Sequence, residues 1–333
     1  MTVDIPPQQR RYWLLTMPRT ASNMLVRVMN LDEQGVRTAA FHGGYFFFPS
    51  MIARLNLFNK GPGWTPEDHA SVEEAVKKSF DALQDYLEAA EKEGQKVFVK
   101  EHISFLNDAH YEYEHMYSTV SGEDSPPTPM PARGFAQSTR SSFNRTCLPD
   151  EFLKTWHPTF LIRHPGLMLP SLYRTTLKDG EIYGTKRAQK EPFEIEGTMK
   201  FVRALYEFYS HYFGENSMWP IVLDADDVIK YPELVMKYAG LVGLDPDKLK
   251  FSWEKVSQEK IDQMESIVQV MLGTINASTG VDKGKIAGKL DIDAEAKKWR
   301  VEFGEEGGKK LERWVQDAMP DYEYLRSRRL AMD

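Results

Sequence analysis

Near its N-terminus the chain reads Tyr12-Trp13-Leu14-Leu15-Thr16-Met17-Pro18-Arg19-Thr20-Ala21-Ser22-Asn23-Met24. The apolar run 12–15 predicts a buried strand and the residues from 24 onward predict a helix, so a polar turn lies at a helix N-terminus. Such a turn offers unpaired backbone N–H groups and partial positive charge, which suit a phosphate-like anion. Thr20, Ser22 and Asn23 add side-chain donors, and Arg19 adds a fixed charge. The stretch therefore predicts a phosphate-binding strand–turn–helix unit.

The order of residues in this turn differs from the G-x-x-x-x-G-K-[ST] motif of nucleotide triphosphatases. The lysine of that motif is missing, and so is the hydroxyl residue after it that holds magnesium. We therefore expect a cradle for a nucleotide that is not hydrolysed. No metal is expected at the site, because His110 and His115 lack the spacing of metal ligands.

Strands and helices alternate along the rest of the chain. Short apolar runs predict strands at 12–15, 96–100, 159–163 and 221–223. Helical spacing predicts helices at about 71–93, 150–156, 166–177, 194–214, 257–272 and 306–318, the first opened by a capping box of Ser71 and Glu74. This alternation predicts the α/β class, with a central, mainly parallel sheet flanked by helices. Ligands of such sheets bind beyond the carboxyl ends of the strands.

One segment breaks this alternation. Between 107 and 147, tyrosines and histidines are followed by Ser125-Pro126-Pro127-Thr128-Pro129-Met130-Pro131. The segment is too long and too rich in proline for a plain connection, which indicates either a mobile lid or a disordered insert. The chain has no internal repeat and no clear boundary between two domains. We therefore predict a single domain over 1–333 with an irregular Pro-rich insert at about 107–147.

The overall composition excludes several classes of protein. The 333 residues carry a formal net charge of −7, which argues against a general nucleic-acid binder. The single cysteine, Cys147, excludes an internal disulfide framework and suits a reducing compartment. Neither a signal-peptide pattern nor an apolar run long enough for a membrane helix is visible. We expect a cytoplasmic protein that acts on a small molecule, without a nucleic-acid or membrane partner. The sequence leaves the oligomeric state open.

Three further motifs carry groups suited to anion binding or proton transfer. Arg163-His164-Pro165 ends a predicted strand and Ser171 follows it, so a fixed charge and a hydroxyl donor can hold one phosphate. Lys100-Glu101-His102 ends another strand, and histidine suits proton transfer because its pKa lies near neutral pH. The loop Lys283-Gly284-Lys285 adds two cations. Alternatively, Arg163 is a structural ion-pair residue, His102 is satisfied within the fold, and the two lysines are solvated surface charges.

An aromatic segment with a glycine pair, Phe41-His42-Gly43-Gly44-Tyr45-Phe46-Phe47-Phe48, follows the first helix. Its residues predict a loop that either packs into the core or lines a pocket. On the second interpretation, the walls of a substrate pocket are formed by His42, Tyr45, Phe46 and Phe47. The acceptor in that pocket would then be aromatic or apolar.

In their order along the chain, these motifs resemble those of the cytosolic-type sulfotransferases that use 3′-phosphoadenosine 5′-phosphosulfate (PAPS). The T-x-P-K-S-G-T-T-W turn of that family corresponds to Thr16-Met17-Pro18-Arg19-Thr20-Ala21-Ser22-Asn23-Met24. The family's R-x-P, with a serine eight residues after the arginine, corresponds to Arg163, Pro165 and Ser171. Its K-x-H corresponds to Lys100-Glu101-His102, and its late R-K-G loop corresponds more weakly to Lys283-Gly284-Lys285. The resemblance covers almost the whole chain.

The resemblance implies a role for each of these residues. The 5′-phosphosulfate would be bound by the turn residues Arg19, Thr20, Ala21, Ser22, Asn23 and Met24. Arg163 and Ser171 would bind the 3′-phosphate, and the loop residues Lys283, Gly284 and Lys285 would complete the nucleotide site. His102 would act as general base, with Lys100 and Arg19 as the other catalytic groups.

Three positions depart from the family pattern. Arg19 stands where the family has a lysine, Ala21 where it has a glycine, and Met24 where it has a tryptophan that stacks on adenine. The resemblance therefore implies a divergent member with the P-loop NTPase-like sulfotransferase fold. The expected reaction moves the sulfuryl group of PAPS to a hydroxyl of a small aromatic or apolar acceptor and leaves 3′-phosphoadenosine 5′-phosphate (PAP). The alternatives are a small-molecule or nucleotide kinase of related fold and a non-catalytic nucleotide-binding relative.

Overall fold

The computed structural model of the protein describes residues 10–39, 43–118, 128–178, 181–182, 185–186, 191–264 and 266–332. Within them the strands are β1 (Arg11–Thr16), β2 (Val97–His102), β3 (Trp156–Ile162), β4 (Glu181–Ile182), β5 (Thr185–Lys186) and β6 (Ile221–Asp224). The helices are α1 (Ser22–Met29), α2 (Phe48–Phe58), α3 (Pro66–Lys92), α4 (Ile103–Leu106), α5 (Ala109–Tyr117), α6 (Asp150–Leu153), α7 (Pro165–Lys178), α8 (Lys200–Phe213), α9 (Ala225–Lys230), α10 (Pro232–Leu241), α11 (Gln258–Asp262), α12 (Ser266–Asn276) and α13 (Ile292–Arg326).

Four of the strands form a parallel sheet in the order β2-β1-β3-β6. In this register Thr16, the last residue of β1, lies beside His102 of β2 and Leu161 of β3. The carboxyl ends of the strands therefore meet at one edge, as parallel strands require. The predicted α/β class and parallel sheet are confirmed. The strands β4 and β5 form a separate antiparallel pair.

The sheet is buried on both faces, and its alternating side chains divide the core. Trp13 and Leu15 of β1 belong to one hydrophobic cluster, whereas Tyr12 and Leu14 belong to a second. This division follows from the two-residue period of a strand, which points successive side chains to opposite faces. A continuous apolar run such as 12–15 is thus the expected sequence of a central parallel strand.

The outer edge of β2 is covered by the segment between α1 and α2. Residues Val36 and Gly44 form single bridges to Lys96 and Lys100 of the strand. The N–H of Lys100 donates to the carbonyl of Gly43 (2.8 Å), and the N–H of Tyr45 donates to the carbonyl of Lys100 (3.0 Å). This cover satisfies backbone groups that an edge strand would otherwise expose. It also fixes the aromatic segment at the carboxyl end of β2.

Several helix boundaries differ from those predicted. α3 begins at Pro66 with Thr65 as its cap, in a capping box with Asp68, so the start predicted at Ser71 is wrong. The predicted helix at 194–214 opens with a 3₁₀ turn at Glu194–Gly197, and the one at 257–272 is divided between α11 and α12. The last helix is far longer than 306–318 and is kinked at Gly304, whose φ is 79°.

The segment at 107–147 is more regular than predicted. Asp108 caps the helix α5 by accepting from the N–H of His110. The prediction that irregular structure begins at residue 107 is therefore wrong. Arg140 pairs with Asp108 (2.9 Å), and the buried Asn144 donates to Asp150 (2.8 Å). Residues 119–127, with the first prolines of the run, lie outside the described part. These polar contacts fix residues 140–144 to the N-terminal ends of α5 and α6.

Cys147 is buried, and burial raises the pKa of its thiol to about 12. The thiol is therefore protonated at neutral pH, in keeping with a structural cysteine rather than a nucleophile. Among the described residues, none of the helices combines the length and the apolar character needed to cross a lipid bilayer.

Candidate functional site

The turn between β1 and α1 is built around two residues with left-handed backbone. The φ angles of Arg19 and Ala21 are 68° and 64°. A left-handed residue favours glycine, and an alanine there costs about 1 kcal/mol. No side chain caps the N-terminus of α1, which begins directly after Ala21. The first N–H groups of the helix are consequently available to an anion.

Buried hydroxyl groups hold this turn in shape. The hydroxyl of Thr20 donates to the carbonyl oxygen of Met17 at 2.8 Å, and both Thr20 and Ser22 are buried. The polar residues that suggested a phosphate cradle therefore divide into two groups. Thr20 supports the turn from within, whereas Arg19, Ala21, Ser22, Asn23 and Met24 line the adjoining cavity.

Arg163 connects three parts of the site at the carboxyl end of β3. Its Nη1 donates to the carbonyl of Arg19 and its Nη2 to the carbonyl of Lys285, each at 2.9 Å. Its buried Nε has no hydrogen-bond partner among the residues that the structure describes. Burial lowers the pKa of Arg163, while Asp226 opposes this effect, and a guanidinium remains charged in either case. A buried cation with an unused donor beside a cavity is suited to an anionic ligand.

Ser171, on α7, accepts a hydrogen bond from Nε of Arg19 at 2.9 Å. The two predicted phosphate motifs are therefore in direct contact, although they are far apart in the sequence. The loop at 283–285 is a 3₁₀ turn in which Asp282 accepts from the N–H of Gly284 (2.9 Å). Gly284 and Lys285 line the cavity. Lys283 is exposed and does not belong to the lining.

His102 lies at the end of β2 and is 3% exposed. Its Nδ1 is 2.6 Å from the hydroxyl of Thr16, and its Nε2 is 3.0 Å from the hydroxyl of Tyr45. Burial holds the pKa of His102 well below its usual value, and the charges of Lys100 and Arg19 lower it further. The imidazole is therefore neutral at neutral pH, as a proton acceptor must be.

Lys100 and Glu101 are both buried, on opposite faces of β2. The ammonium of Lys100 donates to the side-chain oxygen of Asn23 and lies 4.3 Å from the centre of the Tyr45 ring. Burial lowers the pKa of Lys100 to about 7, although Glu101 raises it. The carboxyl of Glu101 accepts from the N–H groups of Phe47 and His102, each at 3.2 Å, and burial raises its pKa to about 8. Lys100 thus faces the turn, and Glu101 holds the aromatic segment.

A cavity of about 470 Å³ joins these groups. Its polar lining comes from the turn after β1, Arg163, Ser171 and Lys285, and His102 also lies in its wall. Its apolar lining is formed by Met24, Tyr45, Phe48, Phe105, Leu167, Ile229, Val268, Leu272, Ile275 and Ile286. A site of this kind can hold a charged group against its cations and an apolar group against its apolar side chains.

The aromatic segment contributes differently from the prediction. Tyr45 lines the cavity, but Phe47 is fully buried in the core against Phe80, and Phe46 packs on Tyr86. The prediction that Phe46 and Phe47 form pocket walls is therefore wrong. The physical reason is the helix α2, which starts at Phe48 and turns the preceding rings towards the core. His42 lies outside the described residues.

Two curated proteins are similar to this chain over nearly their whole length. The chain is 40% identical to "Sulfotransferase ppzF" of Metarhizium rileyi (strain RCEF 4871), with 98% of each chain covered. It is 39% identical to "Sulfotransferase ppzF" of Metarhizium majus (strain ARSEF 297), with 97% of each covered. The chain belongs to the sulfotransferases. No family model matches it, and no solved structure matches it.

Membership of the sulfotransferases agrees with the resemblance found in the sequence, and it argues against the kinase alternative. The sulfotransferase also has site residues that the sequence did not point to. Thr16 contacts the predicted base, and α12 supplies Val268, Leu272 and Ile275 to the cavity wall. Thr16 could have been found, because the parallel register sets the last residue of β1 beside the last residue of β2. No sequence signal distinguishes the α12 side chains that line the cavity from those of an ordinary apolar helix face.

Proposed function

We propose that this sulfotransferase transfers the sulfuryl group of PAPS to a hydroxyl group of a small apolar or aromatic acceptor, with His102 as general base. The observation that carries the proposal is the single cavity that joins the N-terminus of α1, Arg163 and Ser171 to His102. A group-transfer reaction needs the donor and the acceptor side by side, and one cavity lined by both charged and apolar side chains provides that.

The residues of the polar lining fit the donor. The uncapped N-terminus of α1 and the unused Nε of Arg163 are donors that an anion would satisfy. We assign the 5′-phosphosulfate to the turn 19–24 and the 3′-phosphate to Arg163 and Ser171, with Lys285 beside them. When bound, PAPS supplies a sulfuryl group already activated by its bond to phosphate.

The remaining groups supply a base and positive charge. His102 is neutral and is the group that finally takes up a proton at Nε2 when the acceptor hydroxyl loses its own, a contribution typically worth about 10²–10⁴-fold in rate. Arg19 holds a permanent positive charge beside the leaving phosphate. Lys100 can share that task, because its ammonium is directed at Asn23 in the same turn. Fixed charges placed where negative charge develops stabilise the transition state.

We place the acceptor beside His102. The aromatic rings of Tyr45, Phe48 and Phe105 line the cavity and pack on one another next to this histidine. Burial of an apolar acceptor against this wall is favourable, whereas a charged acceptor would lose its hydration without a partner. We therefore propose a neutral phenol or alcohol as the acceptor class.

Isothermal titration with PAP in metal-free buffer tests the donor site. We expect the wild type to bind and Arg163→Ala to bind about 10- to 100-fold more weakly, because hydrogen bonds to charged groups are among the stronger ones. Ser171→Ala removes one hydroxyl, and we expect it to weaken binding less than Arg163→Ala does. Transfer of sulfate from PAPS to 2-naphthol, followed in the same buffer, tests the reaction itself.

Arg313→Ala is the matched control, since Arg313 forms an exposed ion pair with Glu194 outside the cavity lining. Its affinity for PAP should equal that of the wild type. Binding of ATP with magnesium but not of PAP would overturn the proposal in favour of a kinase. Binding of PAP without transfer to any phenol or alcohol would instead indicate a non-catalytic relative.

A further inference from the structure

The hydroxyl of Tyr45 occupies the position at which an acceptor would be expected to meet the base. It lies 3.0 Å from Nε2 of His102. The histidine is only 3% exposed, and both it and Tyr45 belong to the cavity wall. Because the hydroxyl of Tyr45 already occupies the hydrogen-bonding position at Nε2, an acceptor hydroxyl would have to displace it to contact that nitrogen directly.

We assign the direction of each hydrogen bond of His102 so that every donor has an acceptor. The hydroxyl of Thr16 lies 3.3 Å from the carbonyl oxygen of Glu101, to which it can only donate. Thr16 then accepts from Nδ1–H of His102 at 2.6 Å. In this tautomer Nε2 carries a lone pair, so the hydroxyl of Tyr45 donates to it. The proton on Tyr45 is therefore already directed at the base.

Tyr45 is held too firmly to move aside. Its backbone is left-handed, with a φ of 63°, and its N–H donates to the carbonyl of Lys100. Its ring lies 4.7 Å from the ring of His102, 5.6 Å from that of Phe105 and 4.3 Å from the ammonium of Lys100. A residue in a strained backbone conformation is maintained only when its surroundings determine it, and such residues concentrate at functional sites.

We propose that Tyr45 is a catalytic residue of this sulfotransferase and carries the acceptor's proton to His102. This inference rests on the proposed function. The acceptor O–H donates to the oxygen of Tyr45 while the O–H of Tyr45 donates to Nε2. As the acceptor oxygen forms its bond to sulfur, its proton passes to Tyr45 and the tyrosine proton passes to His102. The bond between sulfur and the 5′-phosphate oxygen breaks, and its electron pair stays on that phosphate.

After the transfer Tyr45 is neutral again and His102 is an imidazolium ion. The ring of Tyr45 also packs beside Lys100, whose positive charge stabilises negative charge on the tyrosine oxygen during the exchange. Tyr45 thus connects the buried base to the acceptor in the cavity, so the base can stay shielded from water and be neutral before the reaction.

Two acceptors of different acidity test the proton path in Tyr45→Phe. With 2-naphthol, which keeps its proton at neutral pH, we expect kcat to fall by about 10²-fold, the usual value of proton transfer in a transition state. With 4-nitrophenol at mildly alkaline pH the acceptor is already ionised and needs no relay. We expect kcat for that acceptor to stay within about two-fold of the wild type. Equal losses for both acceptors, or no loss for either, would overturn the relay.

Tyr86→Phe is the matched control for packing. Tyr86 donates its hydroxyl to the carbonyl of Arg37 at 2.7 Å and packs against Phe46 of the same aromatic segment. The substitution removes a hydrogen-bonded hydroxyl from the same region, and Tyr86 is not part of the cavity lining. We expect unchanged kcat with both phenols. A loss like that of Tyr45→Phe would mean that the segment only needs rigid packing.

Nitrogen NMR of the His102 ring provides a readout that requires no turnover. We expect the wild type to show a protonated Nδ1 and an unprotonated Nε2, and the Nε2 resonance to shift in Tyr45→Phe as its donor is lost. A protonated Nε2 would make Tyr45 an acceptor and would overturn the relay. The proposed function fails separately, if the wild type neither binds PAP nor sulfates a phenol.

Discussion

Glu101 shows how one buried side chain prepares the site without lining it. Its two carboxyl oxygens accept from the N–H groups of Phe47 and His102. These contacts join the aromatic segment to the end of β2, next to the base. The carboxyl lies on the opposite face of the strand from Lys100 and His102, as the strand period requires. Glu101 therefore positions Tyr45 and His102 relative to each other.

The free energy of unfolding should depend on pH through the protonation of Glu101. Burial raises the pKa of this carboxyl from 4.5 to about 8, so the folded protein holds a proton that the unfolded chain releases. The resulting stabilisation is complete below pH 4.5 and is lost as the pH rises towards 8. Glu101→Gln cannot titrate and lacks this dependence. As the pH rises from about 4.5 to about 7, we expect the free energy of unfolding of the wild type to fall by about 2–3 kcal/mol relative to that of Glu101→Gln.

Urea unfolding of both proteins across that range measures the difference. The upper limit of the range is chosen because burial lowers the pKa of Lys100 from 10.5 to about 7, so the ionisation of Lys100 changes the stability mainly above pH 7. The amide of the glutamine adds only a constant offset, since it does not ionise. A difference that does not change with pH would mean that Glu101 is ionised in the folded protein and is held by its two N–H donors.

At the scale of secondary structure, the sequence predicts the sheet better than the helices around it. The strands β1, β2, β3 and β6 are continuous apolar runs, a pattern that full burial requires. Helix starts depend on caps, and both Thr65 with Asp68 and Ser71 with Glu74 fit the same local pattern. Only the tertiary structure selects the first of the two.

Some parts of the candidate site are likewise easier to predict from the sequence than others. The proximity of His102, which ends β2, and Arg163, which follows β3, is predictable because strand ends converge in a parallel sheet; Ser171 lies in α7, the helix that follows β3. The aromatic segment is less predictable, because consecutive rings at 45–48 have similar chemistry and only the start of α2 decides which ones face the core. The helix α5 escaped prediction because its buried contacts are polar, such as the pair of Glu112 with Arg54 (2.7 Å).

The contact between the aromatic segment and β2 depends on one glycine. A Cβ on Gly44 would overlap the carbonyl oxygen of Lys100, whose backbone is fixed in the edge strand β2 by hydrogen bonds to the aromatic segment. We expect Gly44→Ala to lower the free energy of unfolding by about 2–3 kcal/mol, as overpacking against backbone does. Denaturant unfolding checks this value.

Gly240 provides the control for that substitution. It lies in α10, and a Cβ there would meet nothing within 4 Å. We expect Gly240→Ala to leave stability unchanged or to raise it by up to about 1 kcal/mol, because alanine is the better helix former. An equally mild effect of Gly44→Ala would show that the aromatic segment can move away from β2.

At the scale of the whole molecule, the loop that brings Lys285 to the cavity is held from the C-terminal part of the chain. Tyr322 of α13 donates to the carboxylate of Asp224 at 2.8 Å, and Asp224 caps α9 through the N–H of Asp226. Asp226 in turn accepts from the N–H groups of Ala287 (2.9 Å) and Gly288 (3.1 Å). The loop carrying Lys285, which Arg163 contacts, is therefore fixed through α9 to the sheet and to α13.

Asp226→Ala should weaken the binding of PAP even though it removes a negative charge near a phosphate site. Coulomb's law alone predicts the opposite, since a nearby carboxylate repels a bisphosphate. The expected loss comes from the loop 283–288, which loses its acceptor and with it the position of Lys285 beside Arg163. We expect the affinity measured by isothermal titration to fall about ten-fold, which corresponds to about 1.4 kcal/mol.

Asp227→Ala separates the effect of the loop position on PAP affinity from the effect of the negative charge. Asp227 is the next residue of α9 and carries the same charge, but it pairs with Arg329 (2.6 Å) rather than with the loop. Its removal should leave PAP affinity unchanged or slightly raised, as charge alone requires. If both variants strengthened binding, the loop would be held by other contacts, and the connection from α13 through Asp226 would have no part in the donor site. If both weakened it, disturbance of α9 as a whole would explain the loss. Only a loss confined to Asp226→Ala supports a donor loop fixed by this single carboxylate.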